Sequence, residues 1–263
     1  MEGLKKLIVE RLKCEIKSYN DGNFRYWVID NLLPEDMAIK IARAFPDEEK
    51  LRQRDSLREY KRVGVDFDSY DELMQQITYV FHDAEIVKCV EDLTGFQQMI
   101  PDRELYAGGL SSMTNNSFLN PHLDNSHDDS RTHYRVLNLL YYVSENWKTE
   151  NGGNLILFPN GIDDDSVTVT SYFNRLILME TNDKSYHGVT KVNSEVPRRC
   201  VSNYYFSKIP TVSYTYEHVT SFYSFPEEKS WKGLALMVDR NLRTYFSSIF
   251  KRITNHENWH KRK

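Results

Sequence analysis

From Leu105 to Ser207 the chain breaks into short runs of β-type residues, and this series constrains the fold more than any other feature. The runs fall at 105–113, 134–143, 154–158, 167–170, 175–180, 187–192 and 199–207. Between them lie Asn115-Asn116, Glu150-Asn151-Gly152-Gly153, Pro159-Asn160-Gly161, Asn182-Asp183-Lys184 and Pro197. Such residues end strands because they supply positive φ, local side-chain hydrogen bonds or a missing N–H donor. Many short strands with regular turn signals predict an all-β sandwich or barrel.

Helices are expected on either side of this block. Leu4, Leu7, Ile8, Leu12 and Ile16 recur at helical spacing over 3–18. Pro34 opens a helix through about Phe45, and 70–95 repeats the helical pattern up to Gly95. Phe24 to Ile29 reads as a strand, and the charged stretch 46–57 as a surface loop. A helix is predicted from Lys229 to Ile253, with Leu234, Met237, Val238, Leu242, Tyr245, Phe246 and Ile249 on one stripe. A lone helix cannot bury that stripe by itself, so 211–263 reads as an extension of one domain. The expected class is α+β with a mainly β core, spanning 1–263 as one unit. Within it, 1–100 is mainly helical support and 101–210 is the β core.

Charge narrows the partners. Lys plus Arg is 34 against 38 for Asp plus Glu, a net charge of -4. No global basic field exists to attract nucleic acid. Cys14, Cys89 and Cys200 are too few and too scattered for a disulfide framework or a CxxC metal site. No apolar run approaches a membrane span. The N-terminal stretch mixes acids with bases and reads as a helix rather than a secretory signal. A soluble, reducing, cytoplasmic setting is the economical expectation.

The chemistry is carried by His122-Leu123-Asp124. Residues two apart on extended backbone project to one side, so this imidazole and carboxylate can meet one metal from adjacent corners. A second imidazole from a later strand completes a 2-His-1-carboxylate face with open positions, the donor set of non-haem Fe(II) oxygenases. His187, in Ser-Tyr-His-Gly-Val at the start of a β-type run, can supply it. Arg198 opens the next such run, and a guanidinium fork there suits the distal carboxylate of a keto acid.

In these residues the chain resembles the Fe(II)/2-oxoglutarate dioxygenases of the prolyl 4-hydroxylase type. His122-Leu123-Asp124-Asn125 resembles the first ligand pair, and Arg135 to Val143 the strand that follows it. Trp147 and Glu150-Asn151-Gly152-Gly153-Asn154-Leu155 resemble the next turn and strand. Phe173 to Ile177, Tyr186-His187-Gly188-Val189 and Arg198 to Phe206 complete the series over roughly 95–208. The resemblance implies a double-stranded β-helix, or jelly roll, with helices packed outside. It implies Fe(II) on His122, Asp124 and His187, with 2-oxoglutarate and O₂ as cosubstrates and ascorbate as an optional reductant. Arg198 would anchor 2-oxoglutarate, with Tyr142 as second donor. Arg198 is followed by Arg199, and adjacent strand residues point to opposite faces, so only one can enter the pocket. Counting back from Tyr204-Tyr205-Phe206 favours Arg198 and leaves Arg199 facing solvent. Cys200 stands where the family often has Ser. The retained carboxylate of Asp124 favours hydroxylation over halogenation.

The implied reaction hydroxylates an unactivated carbon and releases succinate and CO₂. A small molecule such as an amino acid or biosynthetic intermediate is the favoured substrate. A prolyl or other residue in a peptide is the alternative, with 46–70 or 211–225 forming its groove. A jelly-roll binding domain without chemistry is the non-enzymatic alternative. Other readings are weaker. His127, Asp128, Asp129 and His133 form a solvated loop or a substrate entrance. Asn203 has parity opposite to Arg198, while Trp147 and Trp231 read as packing.

Overall fold

The run Val136-Leu137-Asn138-Leu139-Leu140-Tyr141-Tyr142 is apolar on both faces, the mark of a strand covered on two sides. In the computed structural model, which describes residues 2–243 apart from 15, 21, 107, 229 and 230, it is the middle of a curled sheet. The strands, in chain order, are β1 (Lys17–Tyr19), β2 (Tyr26–Ile29), β3 (Arg52–Asp55), β4 (Glu59–Gly64) and β5 (Ile100–Pro101). They continue as β6 (Gly109–Met113), β7 (Phe118–Leu123), β8 (Tyr134–Tyr142), β9 (Leu155–Phe158) and β10 (Val167–Val169). The last four are β11 (Arg175–Glu180), β12 (Tyr186–Val189), β13 (Arg198–Ser207) and β14 (Ser221–Phe222). The hydrogen-bonded order is β1-β2-β11-β8-β13-β6-β4-β7-β12-β9-β10, with β3 on β4, β5 on β13 and β14 on β7. All these pairings are antiparallel. The architecture is the expected one: a mostly β, jelly-roll half-barrel with helices outside.

Two buried layers hold it together. Leu137, Leu139 and Tyr141 of β8, Leu176 and Leu178 of β11 and Trp27 and Ile29 of β2 face outward, under the helices α1 (Glu2–Cys14), α2 (Glu35–Ala44), α3 (Glu72–Tyr79) and α4 (Ala84–Thr94). The opposite faces of the same strands, with Tyr142, Ile177 and Met179, meet Leu155, Leu157 and Val169 inside the curl. Strand alternation sorts the residues between these layers.

The helical half differs in detail from the sequence pattern. The reading over 3–18 ends at Cys14, and Lys17–Tyr19 pairs with β2. The pattern over 70–95 divides because Asp83, in extended backbone, caps a new helix by accepting from Glu85 N–H at 2.8 Å. Gly95 ends that helix at φ +76, where its N–H reaches Glu91 O. The charged stretch 46–57 is not only loop: Arg52–Asp55 pairs with Glu59–Gly64 as a hairpin. Its charges hid it, because β3 is exposed on both faces and such a strand carries no apolar signature. The C-terminal helix occupies 231–243, here α5, and the remainder of the stretch to Ile253 lies outside the described residues. Trp231 is exposed, not packed. No helix among the described residues is long and apolar enough to cross a membrane.

Candidate metal centre and cosubstrate pocket

Two neighbouring strands set the metal corner. His187 on β12 is the register partner of His122 on β7. Between these partners and the next pair, Val189 with Leu119, β7 has one extra residue, a bulge that includes Asn120 and Pro121. Proline tolerates such a site because no ladder N–H is required there. Each imidazole is then fixed in the same way. His122 Nδ1 lies 2.9 Å from Asn120 O, and His187 Nδ1 lies 2.9 Å from Ser185 O. A carbonyl only accepts, so each Nδ1 carries the proton and each Nε2 is left as a bare donor for a metal. Asp124, just past β7, places Oδ1 3.5 Å from His122 Nε2 and Oδ2 3.6 Å from His187 Nε2. The three ligand atoms lie within 4.8 Å of one another, so one ion can bridge them. Burial holds the His187 imidazolium back, so its pKa is held down to about 4 and the ring is neutral near pH 7.

Asp124 is gripped from β8. Arg135 Nη1 lies 2.9 Å from Asp124 Oδ2, and Asn138 Nδ2 donates to the same oxygen at 2.7 Å. Burial opposes the carboxylate charge, but Arg135 overcomes it and holds the carboxyl well below its usual range. Residues 135 and 138 would face opposite sides of a regular strand. A bulge resolves this: Phe206 pairs with Arg135 and Tyr205 with Leu137, so Val136 is extra. Val136 and Leu137 both join the layer under the helices, and Arg135 turns inward beside Asn138. The sequence pattern by itself singles out neither residue. A buried Arg-to-Asn spacing of three on a strand was the available signal, and it is ambiguous without the bulge.

Arg198 is the inward arginine. It is buried, its guanidinium lies 4.6 Å from the Tyr142 ring centroid, and its polar contacts are long: 3.5 Å to Ser171 Oγ and 3.7 Å to Met113 Sδ. Among the described residues no carboxylate pairs with it. The buried Tyr142 hydroxyl has no hydrogen-bond partner, and burial pushes its pKa up to about 12, so it remains a proton donor. A buried guanidinium beside a buried hydroxyl is an arrangement that can hold a carboxylate. Gly153, at φ +60, keeps the wall low there, since a Cβ would come within 3.3 Å of Arg198 Cγ. Arg199 does not face open solvent. It is half-buried against α2, with its guanidinium over the Phe45 ring and Nη1 near Ala42 O. Cys200 faces inward, where its Sγ lies 3.7 Å from Ser202 Oγ.

A cavity of about 580 Å³ opens from the metal corner. His122, Asp124, Arg135, Tyr204, Thr220 and Phe222 line its floor and one side. Phe222, carried by β14, stacks on His122 at 5.2 Å between ring centroids. The stretches 46–70 and 211–225 thus both frame this cavity. Asn203 is not in it: its Oδ1 meets His82 Nε2 on the helical side at 2.9 Å. Asp128 organises its own loop, bonding Thr132 N–H and His133, which hold its pKa down to about 2 against its burial. Trp147 packs with its Nε1 donating to Gly152 O.

Residues 108–207 match the family model described as the 2OG-Fe(II) oxygenase superfamily. Those residues form a 2OG-Fe(II) oxygenase domain. That makes it a dioxygenase enzyme that uses Fe(II), 2-oxoglutarate and O₂. The fold agrees with solved oxygenases. A prolyl-4-hydroxylase from Pseudomonas putida superposes with TM-score 0.52 at 15% identity, covering 78% of this chain and 98% of that one. A prolyl 4-hydroxylase from Phytophthora capsici gives 0.53 at 17%, covering 98% and 87%. The α-ketoglutarate dependent epimerase SnoN from nogalamycin biosynthesis gives 0.52 at 12%, covering 88% and 89%. At such identities the likeness is one of fold. No curated protein matches the sequence.

Proposed function

We propose that the oxygenase domain binds Fe(II) through His122, Asp124 and His187 and hydroxylates a carbon of a small molecule. The observation that carries the reading is the convergence of two bare imidazole nitrogens and a carboxylate at one buried corner. Arg198 would hold the far carboxylate of 2-oxoglutarate, with the Tyr142 hydroxyl as second donor. Bound iron, 2-oxoglutarate and O₂ supply the oxidising chemistry, with succinate and CO₂ as co-products.

The chain's own residues bind, orient and shield. Asn120 O and Ser185 O keep the two imidazole protons on Nδ1, away from the metal corner. Arg135 and Asn138 take one Asp124 oxygen, which leaves the carboxylate fixed in direction. Phe222 covers one face of His122 and keeps water from it. A cavity of about 580 Å³ is the size that encloses a small ligand, which favours such a substrate over a peptide.

The test is spectroscopic. Anaerobic protein given Fe(II) and 2-oxoglutarate should show the weak visible charge-transfer absorbance of the chelate. Absence of the band in the wild type, or its persistence in an Asp124→Ala plus His187→Ala variant, overturns the assignment. Substrate-stimulated succinate formation then separates substrates. Stimulation by a proline-containing peptide, with none by small molecules, would transfer the substrate reading to a peptide.

A further inference from the structure

The chain is acidic overall at -4, yet the cavity over the metal corner is walled by cations. Some are already neutralised: Arg135 pairs with Asp124, and Arg58 pairs with Asp239 of α5. On the side of the β3–β4 hairpin, Lys50, Arg52, Arg54 and Lys61 face two carboxylates, Glu59 and Asp66. The wall therefore carries positive charge in excess, before Arg243 of α5 is counted.

Strand geometry makes this a constructed face rather than a scatter of surface charge. Arg52 and Arg54 share one side of β3 by alternation, and Val63 and Lys61 are their register partners on β4. Glu59 lies on the same side of β4, and all five residues line the cavity. The alternate residues of the hairpin, Gln53 and Arg62, bond each other on the other side. The hairpin is fixed to the metal strand itself, since Glu59 pairs with Leu119 of β7. Glu59 also gathers the cations, with its carboxylate 2.9 Å from Lys61 Nζ and 3.4 Å from Arg54 Nη1. One anion thus already sits between these two side chains, which shows that they can converge on a shared charge.

We propose that the substrate is a phosphorylated small molecule whose phosphate seats on the Arg52, Arg54 and Lys61 face of the hairpin. This rests on the oxygenase reading of the same cavity. A single carboxylate would leave the wall partly uncompensated, whereas a phosphate monoester carries about 1.5 to 2 negative charges near pH 7 and presents three acceptor oxygens. Arginine forks and a lysine are the groups that hold such oxygens. The cavity volume and the negative charge of the rest of the chain both favour a small phosphate over a long polyanion.

The experiment uses protein loaded anaerobically with Fe(II) and 2-oxoglutarate, titrated calorimetrically with glycerol 2-phosphate and separately with glycerol. Wild type should bind the phosphate and not glycerol, more weakly as salt rises. Arg52→Gln plus Arg54→Gln should weaken binding at least tenfold while circular dichroism and melting stay unchanged. Lys88→Gln, exposed on the outer side of α4 and paired with Asp92, should leave binding unchanged. In a turnover panel, phosphorylated compounds should stimulate succinate formation at least tenfold more than their dephosphorylated counterparts. No phosphate binding by wild type, equal binding by the double variant, or a panel answered by carboxylates or an acidic peptide instead overturns this inference. Loss of the chelate band in wild type would sink the oxygenase reading itself, and it is measured in the same sample.

Discussion

Asp124 keeps its charge in a buried corner because Arg135 and Asn138 reach it from β8. Groups that orient a ligand tune its affinity without touching the metal. Asn138→Ala should therefore weaken Fe(II) binding roughly 10- to 100-fold, measured by competition with a calibrated chelator, while the fold persists. An unchanged affinity would show that Arg135 alone suffices. The cosubstrate end obeys different physics. Arg198 is a buried cation with only long contacts, so a carboxylate gains much there. Hydrogen bonds to a charged group are worth about 1.5–3 kcal/mol. Arg198→Gln should thus raise the 2-oxoglutarate concentration needed for the chelate band roughly 10- to 100-fold. The same substitution at Arg199, which lies against α2, should leave that concentration within about twofold and lower melting instead.

Elements place these residues through irregularities. The bulge at Asn120-Pro121 aims His122, and the bulge at Val136 turns Arg135 inward. A turn secures the far wall. Gly152 sits at φ +65, and a Cβ there would lie 1.9 Å from Lys191 O, a backbone atom that cannot swing aside. Gly152→Ala should destabilise the protein by about 2–3 kcal/mol, combining left-handed strain with displacement of the 191–193 backbone. The measurement is a denaturant midpoint, and a midpoint equal to wild type would refute the strain.

At the scale of the whole molecule, burial of the metal corner links stability to pH. Burial lowers the His187 pKa to about 4 in the folded state, against about 6.5 when unfolded. Between those values the unfolded chain binds the extra proton, so this contribution is fully present above pH 6.5 and is lost as pH falls toward 4. The metal-free protein should lose about 3 kcal/mol from this group across that window. His187→Gln should flatten the corresponding part of a plot of unfolding free energy against pH. Equal slopes in wild type and variant would mean that the folded imidazole takes up its proton freely.

The donor types, their order along the chain and the strand-and-turn rhythm of 105–207 were legible in the amino-acid sequence, because alternation and turn chemistry are local. So were the inward direction of Arg198, which follows from parity along β13, and the outer helices, which follow from spacing. Other features were settled only by tertiary structure. Charged residues gave the β3–β4 hairpin no apolar pattern, so only its pairing with β6 and β7 reveals it as a wall of the cavity. Arg135 has the wrong parity for an inward residue until the bulge at Val136 is seen. Bulges and mixed-sequence contacts depend on which strand lies alongside, a long-range fact that no local periodicity records.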